Sequence, residues 1–257
     1  MKKIVRELTV VNNSPLNHDN YRLVVESDIP LPDFKAGQFV NIQIAKATDI
    51  LLRRPFSLFD VDREKRRFSL LIKILGRGSR VLTSYRPGDH LSMVYPLGKG
   101  FSLPTPNDRI LLVGGGSGVA PMLFLAKTCG LPAARVDLLL GARAASDHID
   151  CSDYRSFGTI YRVTEDGQLG EKGLVTDHSV YKSKLQRYSK IYSCGPGPMM
   201  RAIAKDADEL NIFCEVSLEN TMACGFGACL CCVEKTTTGN RCVCTDGPVF
   251  NSKELIW

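Results

Sequence analysis

The chain has 257 residues, ten of them cysteine, with 44% hydrophobic and 23% charged residues and a net charge of +6. That length exceeds one compact core, so two domains are expected with room for a small third. No apolar run approaches the roughly 18 residues of a membrane span, and Arg6 and Glu7 interrupt MKKIVRELTVV before a secretory segment can form. A soluble, cytoplasmic protein is expected. There, clustered thiols point to metal or redox chemistry rather than disulfides. The densest basic knot, REKRR at 63–67, lies between two strand-like runs and reads as a solvated turn, not a nucleic-acid surface.

Along the first hundred residues run IVRELTVV, YRLVVES, QFVNIQIA, FSLFDV, FSLLIKIL and HLSMVY, separated by turn residues such as SDIPLP, LGRGS and RPGD. In QFVNIQIA, Val40, Ile42 and Ile44 alternate with Asn41 and Gln43, the pattern of a half-buried strand. Short spacing between the runs predicts a small antiparallel barrel or sandwich over residues 1–102. Within it, LLRRPFSLFD gathers Arg54, Phe56 and Ser57 at a strand end. A guanidinium suits a diphosphate, a ring can cover a planar heterocycle, and a hydroxyl can bond a ring nitrogen. A surface arginine and a capping serine would look the same.

From about residue 107 the texture changes: RILLVGG, VAPMLFLAKTC, RVDLLLGAR, then IYSCG, GPMMRAIAKDADEL and FCEVSLE. Apolar strands alternating with helical patterns predict a parallel sheet covered by helices over residues 103–216. RILLVGGGSGVAP carries Gly114, Gly115, Gly116, Ser117 and Gly118 between strand and helix. Such a turn lets backbone amides approach a pyrophosphate at a helix N-terminus, but it is not a full GxGxxG match, and a tight strand–helix junction needs the same glycines. YSCGPGPMM supplies a second strand-end turn with Cys194, Gly195 and Pro196, where sheets of this kind bind nucleotides. Cys194 is placed either beside a nicotinamide ring or as a small buried residue. Arg143, after RVDLLLGAR, is either a 2′-phosphate contact or simply solvated.

Residues 217–257 have little periodicity and hold six cysteines within a 21-residue window, so a ligand is expected to organise them. Cys224, Cys229 and Cys232 are spaced C-x4-C-x2-C, with Cys242 and Cys244 beyond. This is the plant-type pattern of a 2Fe-2S cluster. Gly225 and Gly227 let the loop curl so that amides reach the sulfurs. Zinc is the competitor, although its sites favour paired CxxC knuckles and no histidine follows residue 178. Cys244, before the turn TDGP, is preferred to Cys242 as fourth ligand. Cys231, on a strand-like run between two ligands, is expected to point away and be buried. Cys129, Cys151 and Cys214 are read as ordinary residues.

RPFS, then GGGSGVAP, then CGPGPM resembles the ferredoxin–NADP reductase family, which has a β-barrel FAD domain followed by an α/β NAD(P) domain. With the added CGFGACLCCV and CVCTDGPVF, the whole chain is similar to the electron-transfer subunits of bacterial dihydroorotate dehydrogenase B. The resemblance implies that Arg54, Pro55, Phe56 and Ser57 contact FAD, as do Leu71, Ile72, Lys73, Gly78 and Ser79. It implies Cys224, Cys229, Cys232 and Cys244 as cluster ligands, and NAD as the nicotinamide. Phe56 stands where the wider family often has Tyr. The chain leaves no stretch for a (β/α)8 barrel of about 250 residues. An FMN-containing dihydroorotate-oxidising partner is therefore implied, in a two-plus-two assembly serving pyrimidine synthesis. A hydrogenase-type or ferredoxin:NADP oxidoreductase-type subunit would share the motifs, and a zinc-dependent sensor is the non-enzymatic alternative.

Overall fold

The computed structural model describes residues 3–257; Met1 and Lys2, which open MKKIVRELTVV, lie outside the described residues. Six strands close an antiparallel barrel: β1 (Ile4–Pro15), β2 (Asn20–Glu26), β3 (Phe39–Ile42), β4 (Arg54–Asp62), β5 (Arg67–Lys73) and β6 (His90–Leu97), in the order β1-β2-β5-β4-β3-β6. A short helix α1 (Arg77–Leu82) lies between β5 and β6. Val40, Ile42, Leu58, Phe68 and Leu70 fill the interior. The barrel thus forms where the period-2 pattern demands it. The basic knot is a turn: Arg63, Glu64, Lys65 and Arg66 are all exposed.

One strand departs from the half-buried expectation. All four residues of β3 are buried, Asn41 included. The face left open by the barrel is covered by the cysteine-rich segment, a long-range contact that alternation cannot report.

The second unit is a seven-stranded sheet built from β7 (Ile110–Gly115), β8 (Val136–Ala142), β9 (Thr159–Thr164), β10 (Glu171–Lys172), β11 (Lys190–Cys194), β12 (Phe213–Ser217) and β15 (Val249–Asn251), ordered β10-β9-β8-β7-β11-β12-β15. The first six pair in parallel; β15 runs antiparallel to β12. That last strand comes from the cysteine-rich segment, which is stitched onto the sheet edge and also forms a hairpin of β13 (Val233–Thr236) and β14 (Gly239–Cys242). Chain order reverses between β7 and β11, so the carboxyl ends of these two strands flank the point where sheets of this class hold ligands.

Helix α2 (Val119–Thr128) follows β7, while α3 (Ser179–Lys182) and α4 (Gly197–Glu209) lie farther along. Every residue of α2 from Val119 to Ala126 is buried. It packs on β4 of the barrel as well as on β7, β8 and β11. A helix apolar all round is stable only when enclosed in this way, and α2 thereby joins the two units. Leu123→Ala, at a position with no exposure, is expected to destabilise the protein by about 2–5 kcal/mol. Breaking the exposed Lys205–Glu209 pair should cost under about 1 kcal/mol. Denaturant titration of both variants checks the contrast.

Candidate functional site

A cleft of about 300 Å3 opens between the barrel and the strand ends of the sheet. The barrel lines it with Phe39, Pro55, Phe56, Ser57, Leu71 and Lys73, the sheet unit with Ser117 and Ala120, and the cysteine-rich segment with Glu219, Thr221, Met222 and Pro248. Strand geometry explains the selection. Leu71 and Lys73 share the outer face of β5, whereas Ile72 is 1% exposed and packed in the core. Only the backbone of Ile72 is available to a ligand. Arg54 lies at the start of β4 beside Gly78, where an added Cβ would come within 3.4 Å of the arginine Nε and 2.9 Å of Ile44. Glycine at that position allows α1 and Arg54 to pack together. Ser79 Oγ accepts from the amides of Leu75 (2.9 Å) and Gly76 (3.1 Å), fixing the turn that opens α1.

The two glycine turns at the strand ends meet. A Cβ on Gly118 would collide with the Cys194 carbonyl, one on Gly115 would lie 2.9 Å from Pro196 Cδ, and one on Gly195 would lie 2.9 Å from the Gly115 carbonyl. Gly114 is equally tight, 2.9 Å from Val119 Cα. These glycines serve close packing between turns. Gly116 differs: its φ is +56° and nothing lies within 4 Å of an added Cβ, so it faces open space. Cys194 is fully buried, and burial pushes its thiol well up. Its side chain lies inside the packing of the two turns.

At the cysteine-rich segment the thiols of Cys224, Cys229, Cys232, Cys242 and Cys244 gather. The Cys224 Sγ accepts from the amides of Cys229 (3.4 Å) and Phe226 (3.5 Å), and the Cys232 Sγ accepts from the Cys244 amide (3.4 Å). The thiols of Cys224 and Cys229 neighbour each other, as do those of Cys232 and Cys244. Gly225 (φ +78°) and Gly227 (φ +90°) provide the tight curl. Cys244 is buried, and burial together with the Cys232 thiol pushes its own thiol up. Amide donation to sulfur and thiols that a cation must ionise both suit an iron–sulfide centre. A two-iron centre takes two thiolates per iron, and the paired arrangement fits that demand.

Cys242 lies at the end of β14, its amide tied to Asp246 Oδ2 at 2.9 Å while its carbonyl accepts from Thr245 and Asp246. The TDGP corner is therefore rigid. Cys231 corrects the expectation of burial, because it is exposed. Leu230 adopts φ +57°, which turns the chain, and β13 begins only at Val233. The strand-like run is a loop.

Sequence reading missed Phe39, Glu219 and Pro248. Glu219 lies two residues beyond the carboxyl end of β12, which was the available signal. Its side chain reaches solvent through the cleft mouth, but the enclosing walls push its carboxyl up, with Lys73 opposing. A larger groove of about 510 Å3 lies at the far end of α2. Most of its charges are paired, with Asp60 bonded to Lys127 at 2.7 Å and to Arg22 at 3.5 Å.

Gly118→Ala should lower both thermal stability and nicotinamide affinity by parting the two turns, which melting curves and NADH titration measure. A carboxyl with a raised folded pKa favours the folded state at low pH and loses that contribution as pH rises through the folded value. Glu219→Gln is accordingly expected to raise the melting temperature at pH 8 and to leave it unchanged at pH 4.

Three family models match in chain order: an oxidoreductase FAD-binding domain over residues 6–102, an oxidoreductase NAD-binding domain over 112–205, and the iron-sulfur cluster binding domain of dihydroorotate dehydrogenase B over 219–256. The dihydroorotate dehydrogenase B (NAD(+)) electron transfer subunit of Shouchella clausii is 35% identical over 262 aligned residues, covering all of both chains. That of Desulforamulus reducens is 37% identical over 226 residues, 86% of each. Among solved structures, a chain of the NADH-dependent reduced ferredoxin-NADP oxidoreductase superposes with a TM-score of 0.85 at 26% identity, covering 97% of this chain and 90% of that one. The ferredoxin reductase in carbazole 1,9a-dioxygenase shares the fold, with a TM-score of 0.71 at 22% identity over 82% of this chain and 67% of that one. Full-length identity at this level, on a chain carrying all three domain types in order, places the protein in the family of dihydroorotate dehydrogenase B electron-transfer subunits.

Proposed function

We propose that the chain passes electrons between the FMN of a dihydroorotate-oxidising partner subunit and NAD+, through a 2Fe-2S cluster and FAD, in pyrimidine biosynthesis. The observation that carries this reading is one of position. The paired thiols and the cleft share a wall, because the cysteine-rich segment supplies the four sulfurs and also Glu219, Thr221, Met222 and Pro248 of the cleft lining.

FAD held in that cleft supplies the conversion between hydride transfer and single-electron transfer that a nicotinamide and an iron–sulfur cluster require of each other. Phe56 and Ser57 stand where a flavin ring would be covered and hydrogen-bonded, and Arg54 with the Gly78–Ser79 turn would meet the diphosphate. The open face at Gly116, at the switch point between β7 and β11, suits the nicotinamide dinucleotide. Cys224 with Cys229, and Cys232 with Cys244, would each hold one iron. Phe226 and Leu230 are 47% and 63% exposed on the same loop and would give the partner an apolar rim to dock against. A two-plus-two assembly is part of this proposal.

A reducing cytoplasm is part of this proposal, because thiols that are to hold iron must not be oxidised to disulfides. No helix among the described residues is long and apolar enough to cross a membrane.

The close superposition on the ferredoxin-NADP oxidoreductase chain supports a second reading, a reductase subunit serving another partner. The higher identity to the dihydroorotate dehydrogenase B subunits over the full length favours the first. Serine substitution at Cys224, Cys229, Cys232 or Cys244 should remove iron and acid-labile sulfide, whereas Cys231→Ser and Cys242→Ser should retain both. Elemental analysis and the visible spectrum read the difference. Copurified with its FMN-containing partner, the protein should form NADH on addition of dihydroorotate; NADH formation that needs no dihydroorotate and runs with another donor would select the second reading.

A further inference from the structure

Asn41 is completely buried on β3. Its Nδ2 donates to the carbonyl of Cys224 at 3.0 Å, joining the barrel to the first thiol-bearing turn across 183 residues of chain. The approach is tight. A Cβ on Gly225 would lie 2.7 Å from Asn41 Nδ2, and the φ of that residue is +78°, so the turn accepts the amide only because glycine stands there. Behind the strand, Arg53 Nη1 donates to the carbonyls of Ser92 (2.8 Å) and Asn41 (3.5 Å). The segment docks a second time one strand away, where Lys99 N donates to the Gly247 carbonyl at 2.6 Å.

The other end of the same amide is costly. Asn41 Oδ1 is buried with no hydrogen-bond partner among the described residues, and an unpaired buried acceptor lowers stability. A leucine would fill a similar volume and remove that unpaired acceptor, but it would leave the Cys224 carbonyl without its donor. Two residues earlier on the same face, Phe39 lines the cleft. Strand geometry separates the two positions by roughly 7 Å.

We infer that Asn41 is a positioning residue for the iron–sulfur centre: its amide clamps the Cys224 turn onto the strand whose neighbouring side chain, Phe39, borders the flavin cleft. The clamp holds the first ligand at a set separation from the flavin and fixes the dipoles around its sulfur, which are levers on a cluster's potential. This rests on the reading of Cys224 as a ligand.

The test compares Asn41→Leu with the wild-type chain, purified with its cluster and flavin. The variant is expected to release iron to a chelator about five- to tenfold faster. Its reduced cluster should show an altered EPR line shape and a shifted midpoint potential, with flavin content unchanged. Asn41→Gln, which keeps the amide, should recover part of the wild-type signature. If Asn41→Leu does not fold, Asn41→Ser carries the same measurements. Wild-type iron release, EPR and potential in the folded variant overturn the inference. A Cys224→Ser control separates the two levels: iron lost there with Asn41→Leu unchanged defeats the clamp alone, and iron retained there defeats the ligand assignment and the clamp together.

Discussion

Enclosure of α2 from Val119 to Ala126 is the constraint on which the rest of the structure depends. A stretch of helix apolar all round must be packed on all sides, and here the sheet strands take one side while β4 of the barrel takes another. Fixing α2 fixes the glycine turn at its start and, across that turn, the position of β4 with Phe56 and Ser57. The cleft is the space this packing leaves at the N-terminal end of the helix. At the other end, Lys127 bonds Asp60 of β4 at 2.7 Å, an exposed pair that adds orientation more than stability.

The cysteine-rich segment meets a different problem. Its 41 residues hold few large apolar side chains, too few for a core of their own. It borrows order at three places: β15 extends the sheet, Gly247 and Pro248 meet Gly98 and Lys99 behind β6, and the Cys224 turn docks on Asn41. Apolar packing adds to these, since Val243 and Phe250 lie in one buried cluster with Phe39, Val94 and Leu97 of the barrel. This holds the loop in shape around the sulfurs, and a metal's binding free energy there becomes part of the folding free energy.

The shared wall between thiols and cleft follows from these attachments. Leu218 and Glu219 leave the carboxyl end of β12 straight into the cleft, and the first thiol comes five residues after Glu219. A centre built on that short path cannot stray far from a flavin in the cleft. Conduction between two centres needs that kind of proximity, and here covalent connection supplies it.

By itself, the sequence determined what is local. Strand-like runs separated by turn residues placed the six barrel strands, and glycine-rich turns after apolar runs placed β7 with α2 and β11 with α4. The C-x4-C-x2-C spacing marked the thiols, because a loop that curls around a cluster needs sulfurs at that separation. Tertiary structure decided what depends on the second face of each element. Asn41 has the pattern of an open-face polar residue and is buried, since another part of the chain covers it. Cys231 sits in an apolar-looking run and is exposed, since Leu230 takes a left-handed turn. Ile72 faces the barrel core between two residues that face the cleft, and β15 joins a sheet from a segment without strand periodicity. Local pattern encodes how a side chain alternates along its own element; what lies against it is set by contacts between residues far apart in the chain, and those exist only once the chain has folded.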